Sequence, residues 1–80
     1  MKLYNSIRDL ILSRKNEFSK IYLDAESIFW RRDEKYYNYM VEKAGGNQLM
    51  LEIIDILKKV YKDNNKSYKK RVEKLLNEIK

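Results

Sequence analysis

The stretch Phe18-Ser19-Lys20-Ile21-Tyr22-Leu23-Asp24-Ala25-Glu26-Ser27-Ile28-Phe29 decides how the first half of this chain folds. Phe18, Ile21, Ala25, Ile28 and Phe29 recur at helical spacing, as do Leu3, Ile7, Leu10 and Ile11 before them and Tyr36, Tyr39 and Met40 after them. Read as one helix, the spacing approaches an eleven-residue coiled-coil repeat and makes a rod about 60 Å long at 1.5 Å per residue. The rival reading breaks the helix at Leu23-Asp24. Asp24 is a good N-cap there, and Leu23 and Ile28 occupy the two positions of a hydrophobic staple. In a continuous helix Leu23 would point out on the polar side.

Two charges favour that break. Arg14 interrupts the apolar stripe of the first segment, and Asp33 lies between Phe29, Tyr37 and Met40 in the second. A reversal near Leu23-Asp24 sets Phe18 opposite Phe29, Leu10 opposite Tyr37 and Arg14 opposite Asp33. Because an unpaired buried charge costs several kcal/mol, Arg14 and Asp33 are expected to form a structural ion pair.

The second half is simpler. Gly45-Gly46 ends the preceding helix, and Asn47 offers an N-cap to the next, whose apolar side is Leu49, Met50, Ile53, Ile54, Ile56, Leu57, Val60 and Tyr61. Lys62-Asp63-Asn64-Asn65-Lys66 reads as a turn, after which Tyr68, Val72, Leu75, Leu76 and Ile79 mark a final helix. So short a connection implies an antiparallel hairpin. The expected fold is all-α, a small four-helix bundle over residues 3–22, 25–44, 48–62 and 67–79 in one domain, 1–80. The alternative is one long N-terminal helix plus a C-terminal helical hairpin.

Composition narrows the chemistry. The 80 residues include no Cys, no His and no Pro, which removes disulfides, thiolate and imidazole metal sites, and catalysis that needs Cys or His. The adjacent acids Asp33 and Glu34 point about 100° apart on a helix and do not converge. Neither a calcium loop nor a phosphate-cradling glycine motif is present. No catalytic residue, metal ligand or cofactor is therefore expected, and the chain reads as a non-enzyme. Charges near the N-terminus leave room for neither a secretory apolar region nor a spanning helix, so a cytoplasmic protein with no membrane role is expected. Lys, Asn, Ile and Tyr fill 35 of the 80 positions and share A/T-rich codons, a compositional hint of a low-GC bacterium, its phage or a mobile element.

Two surfaces could carry function. In a helix over residues 25–44, Phe29, Tyr36 and Met40 form one stripe and Trp30, Tyr37 and Val41 another, more than a single contact can bury. A central helix packed on two sides explains both stripes and is the simpler reading. The sharper one makes Trp30, Tyr37 and Val41, with Arg31 and Arg32 beside them, a partner-binding face, since interface hot spots are rich in Trp, Tyr and Arg.

The net charge of +6 is equalled by residues 57–80 alone. Lys58, Lys59, Lys62, Lys66, Lys69, Lys70, Arg71 and Lys74 could form a basic patch for nucleic acid or an acidic protein surface. Glu73 and Glu78 are spaced for intrahelical pairs with Lys69, Lys70 and Lys74, which would make the patch an ordinary solvated face. A DNA-reading helix-turn-helix is poorly matched: the turn lacks glycine, and the helix start lacks Asn or Gln for adenine.

The sequence therefore points to a non-catalytic helical binding protein that engages or inhibits a protein partner, such as a nucleic-acid-handling complex. Its size and composition fit, by analogy, small phage or mobile-element inhibitors of host machinery or defence. Direct nucleic-acid binding through the basic hairpin is the second expectation, and a structural homodimer the third. A core this small, without disulfide or metal, is naturally supplemented by a second copy or a larger partner.

Overall fold

The computed structural model describes residues 2–79 and holds five helices among them: α1 (Lys2–Arg14), α2 (Glu17–Ile28), α3 (Glu34–Ala44), α4 (Gln48–Lys62) and α5 (Ser67–Glu78). All-α architecture is as expected; the number of helices and the breaks in the first half are not. Principal extents of 28 × 26 × 20 Å leave no room for the long N-terminal rod.

The first reversal comes at Lys15-Asn16. Lys15 takes a left-handed φ of 53°, and Asn16 caps α2. The Asn16 side-chain oxygen accepts from the Ser19 amide at 2.9 Å, and the Ser19 hydroxyl oxygen accepts from the Asn16 amide at 3.2 Å, a reciprocal capping box. That hydroxyl also donates to the Ile11 carbonyl at 2.6 Å, so the buried Ser19 ties the start of α2 to the end of α1. Leu23 and Asp24, the expected break, lie inside α2. Leu23 does face solvent, 51% exposed, because the break that would have turned it inward lies elsewhere.

A second interruption separates α2 from α3. Phe29 is already extended, with φ −112° and ψ 129°, and Asp33 caps α3 by accepting from the Lys35 amide at 3.1 Å and the Tyr36 amide at 3.4 Å. The expected Arg14–Asp33 pair is thus not made. Arg14 instead reaches Glu73 of α5 at 3.6 Å, and Asp33 serves the backbone. A cap satisfies the same carboxylate without a cation, and Asp33 is exposed to water besides, so it needs no buried partner.

The second half follows expectation closely. Ala44 ends α3, Gly45 takes the left-handed conformation at φ 58°, and the Asn47 side chain caps α4. α5 packs on α4 after a four-residue connection, with Arg71 donating to Glu52 across the pair. Leu3, Tyr4, Ile7 and Ile11 of α1, Phe18, Ile21, Tyr22 and Ala25 of α2, Tyr36 and Met40 of α3, and the apolar faces of α4 and α5 join in one buried cluster.

Candidate functional site

The segment between α2 and α3 is fastened at both ends and free in the middle. At one end, Phe29 is half-buried and meets the Tyr39 ring edge-on, with centroids 5.6 Å apart. At the other, the Arg32 guanidinium lies over the Tyr4 ring at 4.9 Å and donates to Glu26 Oε2 at 2.8 Å. Glu26 is itself held: Arg8 Nε donates to its two oxygens at 2.9 and 3.2 Å, and the Tyr22 hydroxyl donates to Oε2 at 3.0 Å. Beneath this network the Tyr4 and Tyr36 hydroxyls lie 3.1 Å apart.

Between the anchors stand Trp30, 98% exposed, and Arg31, also in solvent. Ile28, the last residue of α2, is 54% exposed beside them. Trp30 borders two surface clefts. One, of ≈ 450 Å³, is lined by Glu26, Ser27, Phe29, Trp30, Arg32 and Tyr36; the other, of ≈ 470 Å³, by Ile28, Phe29, Trp30, Arg31 and Asp33. The indole thus stands in water between two hollows, on a loop held at Phe29 and Arg32.

The five residues expected to make one partner-binding face divide three ways. Trp30, Arg31 and Val41 are at the surface, whereas Tyr37 is only 4% exposed and Arg32 is half-buried in the Glu26 network. The simpler reading, with Trp30 in the core of a central helix, is corrected, because Trp30 is in the connection and not on a helix face. Sequence reasoning missed the Glu26, Tyr4, Tyr22 and Tyr36 network. Its one legible signal was Glu26, a carboxylate one residue along from the buried Ala25.

Burial pushes the Tyr4, Tyr22 and Tyr36 hydroxyls far above their ordinary value, with the neighbouring tyrosines adding repulsion to any phenolate that forms. They are neutral hydrogen-bonding groups at physiological pH. Arg8 is held charged chiefly by its hydrogen bond to Glu26. The Arg32 Nε and the Tyr37 hydroxyl are buried with no hydrogen-bond partner among the described residues, and both residues border a third cleft, of ≈ 240 Å³, facing Lys58, Tyr61 and Lys62.

The basic residues of the last two helices are all exposed. Lys58 lies over the Tyr37 ring at 5.6 Å, Lys59 pairs with Asp55 at 2.9 Å, and Arg71 pairs with Glu52. Lys62, Lys66, Lys69, Lys70 and Lys74 form no ion pair among the described residues; Lys80 lies outside them. The described residues include no group of three or more His, Cys, Asp or Glu placed to hold a metal, and no helix long and apolar enough to cross a membrane. Comparison with protein-family models, curated proteins and solved structures finds no match.

Proposed function

We propose that this chain is a non-catalytic docking protein that inserts the Trp30 loop into a protein partner. The observation that carries the reading is the near-complete exposure of Trp30 between the two fastened residues Phe29 and Arg32. A Trp side chain offers roughly 150–250 Å² to a contact, and about 25 cal/mol is gained per Å² of apolar surface removed from water. Left in solvent, that surface contributes nothing to the fold. Fixing the loop beforehand also reduces the ordering entropy that binding must overcome. Ile28 and Arg31 supply an apolar flank and a cation beside the indole, the combination that recurs at interface centres. By analogy of size and composition, the partner is a nucleic-acid-handling complex of a low-GC host, which docking would inhibit.

The test is a photo-crosslinking amino acid placed at position 31, beside an intact Trp30, and, as a control, at position 64 in the connection between α4 and α5. In a nuclease-treated lysate of a low-GC bacterium, the probe at position 31 should label one predominant protein. Excess unlabelled protein should suppress the adduct, and excess Trp30→Ala should not. Adducts of equal yield from both positions, or equal competition by Trp30→Ala, would contradict the reading.

A further inference from the structure

We infer that the outer ridge of α5, opened by Lys66 just before the helix, is a sequence-independent binding surface for the phosphate backbone of nucleic acid. It is separate from the Trp30 loop and does not rest on the role proposed for that loop. Lys66 begins the ridge, and Lys70 and Lys74 follow at four and eight residues on the side of α5 turned away from Val72, Leu75 and Leu76, with Lys69 on its flank toward Leu76. All are exposed.

The decisive observation is where the neighbouring carboxylates go. Intrahelical pairs of Glu73 with Lys69 or Lys70 would make this an ordinary, internally neutralised face. Glu73 turns instead to Arg14 of α1, at 3.6 Å. Glu52 is taken by Arg71 and Asp55 by Lys59. Of the acids on or beside the ridge, Glu73 answers a cation outside it, and Asp63 and Glu78 pair with no cation among the described residues, so Lys66, Lys69, Lys70 and Lys74 are left with no carboxylate at ion-pair distance among those residues.

A polyanion with closely spaced charges fits this arrangement. From Lys66 to Lys74 the ridge rises about 12 Å at 1.5 Å per residue. Over that length a duplex presents roughly seven phosphates, one per ~1.7 Å of axis, so each lysine can neutralise one and release its counterion. Lysine acts as a point charge and does not fork onto base edges as arginine does, and no fully exposed aromatic ring stands on the ridge for a base to stack on. Contact is therefore confined to the backbone, and DNA and RNA duplexes share the chemistry that is recognised.

The experiment is fluorescence anisotropy with labelled 20-base-pair duplexes of two unrelated DNA sequences and one RNA, from 50 to 200 mM salt. The wild-type chain should bind all three within about twofold of one another. The slope of log affinity against log salt should be about −4, a loss on the order of 10²-fold across that range. Lys70→Gln with Lys74→Gln should lower the slope by about 2, and Lys70→Glu with Lys74→Glu should abolish binding while circular dichroism stays helical. Charge reversal at Lys20 and Lys43, on α2 and α3, makes the same change in net charge and should leave affinity within about threefold. Absence of wild-type binding at 50 mM salt, equal losses in the two charge-reversed pairs, or tighter binding to anionic lipid vesicles than to any duplex would overturn the proposal.

Discussion

Glu26 and Trp30, four residues apart, show how one short segment divides structure from display. The Glu26 side chain is only 14% exposed and receives hydrogen bonds from Arg8, Tyr22 and Arg32. Its removal strands two half-buried cations and a buried hydroxyl, so Glu26→Ala should cost about 2–4 kcal/mol in urea unfolding, on the scale of charged hydrogen bonds and broken buried pairs. Trp30→Ala removes a far larger side chain that touches water almost everywhere, and its cost should stay within ~0.5 kcal/mol. An equal loss for the two substitutions would mean that the indole is packed. Trp30 could not be placed from its letter alone. On a helical wheel it joins Tyr37 and Val41 in a second apolar stripe, and only the extended backbone from Phe29 onward takes it off the wheel. Asp33 before Glu34 is the available cue, since Asp is a favoured N-cap, but the same residue taken as half of an ion pair implies no end to the helix.

At the scale of elements, legibility followed chain punctuation. Gly45-Gly46 with Asn47 marks a boundary by conformational need: Gly45 takes φ 58° and Asn47 accepts from the Leu49 and Met50 amides. The boundary at Lys15-Asn16 carries a cap but no glycine. The left-handed position is filled by Lys15, and the apolar spacing of α1 runs into that of α2 nearly in phase, so periodicity does not register the reversal. A lysine there carries a steric cost that glycine lacks. Lys15→Gly should therefore raise stability by about 0.5–1 kcal/mol, whereas Gly45→Ala, in the same backbone region, should lower it by about 1 kcal/mol. Opposite signs in chemical denaturation are the check, and a loss in both would show that Lys15 makes contacts that offset its strain. The fold class survived the misplaced break because either boundary yields short helices with one apolar face, and such helices bury that face only against each other.

For the whole molecule, the buried tyrosines set a limit at high pH. Burial raises the Tyr4, Tyr22 and Tyr36 hydroxyls far above the ordinary value near 10 that they recover on unfolding. The folded state then holds protons that the unfolded state releases, so these groups contribute stability that is fully present below about pH 10 and declines above it. Three such groups give a slope of up to about 4 kcal/mol per pH unit once the unfolded tyrosines are ionised. Thermal melts from pH 8 to 12 should show a steep fall in midpoint beginning near pH 10, together with release of the buried hydroxyls in tyrosine absorbance. Titration of all seven tyrosines near pH 10 with an unchanged midpoint would contradict the buried network.

The network matters at this scale because it fastens one end of the loop that carries the chain's single tryptophan. That uniqueness makes intrinsic fluorescence a direct measurement of the central claim, that the fold holds Trp30 out in water as a docking residue. The free monomer should emit at the red-shifted wavelength of hydrated indole and be quenched by acrylamide about as readily as a free tryptophan derivative, while circular dichroism reports a folded helical chain. Blue-shifted emission that resists the quencher in the isolated monomer would place Trp30 inside the protein and contradict the account.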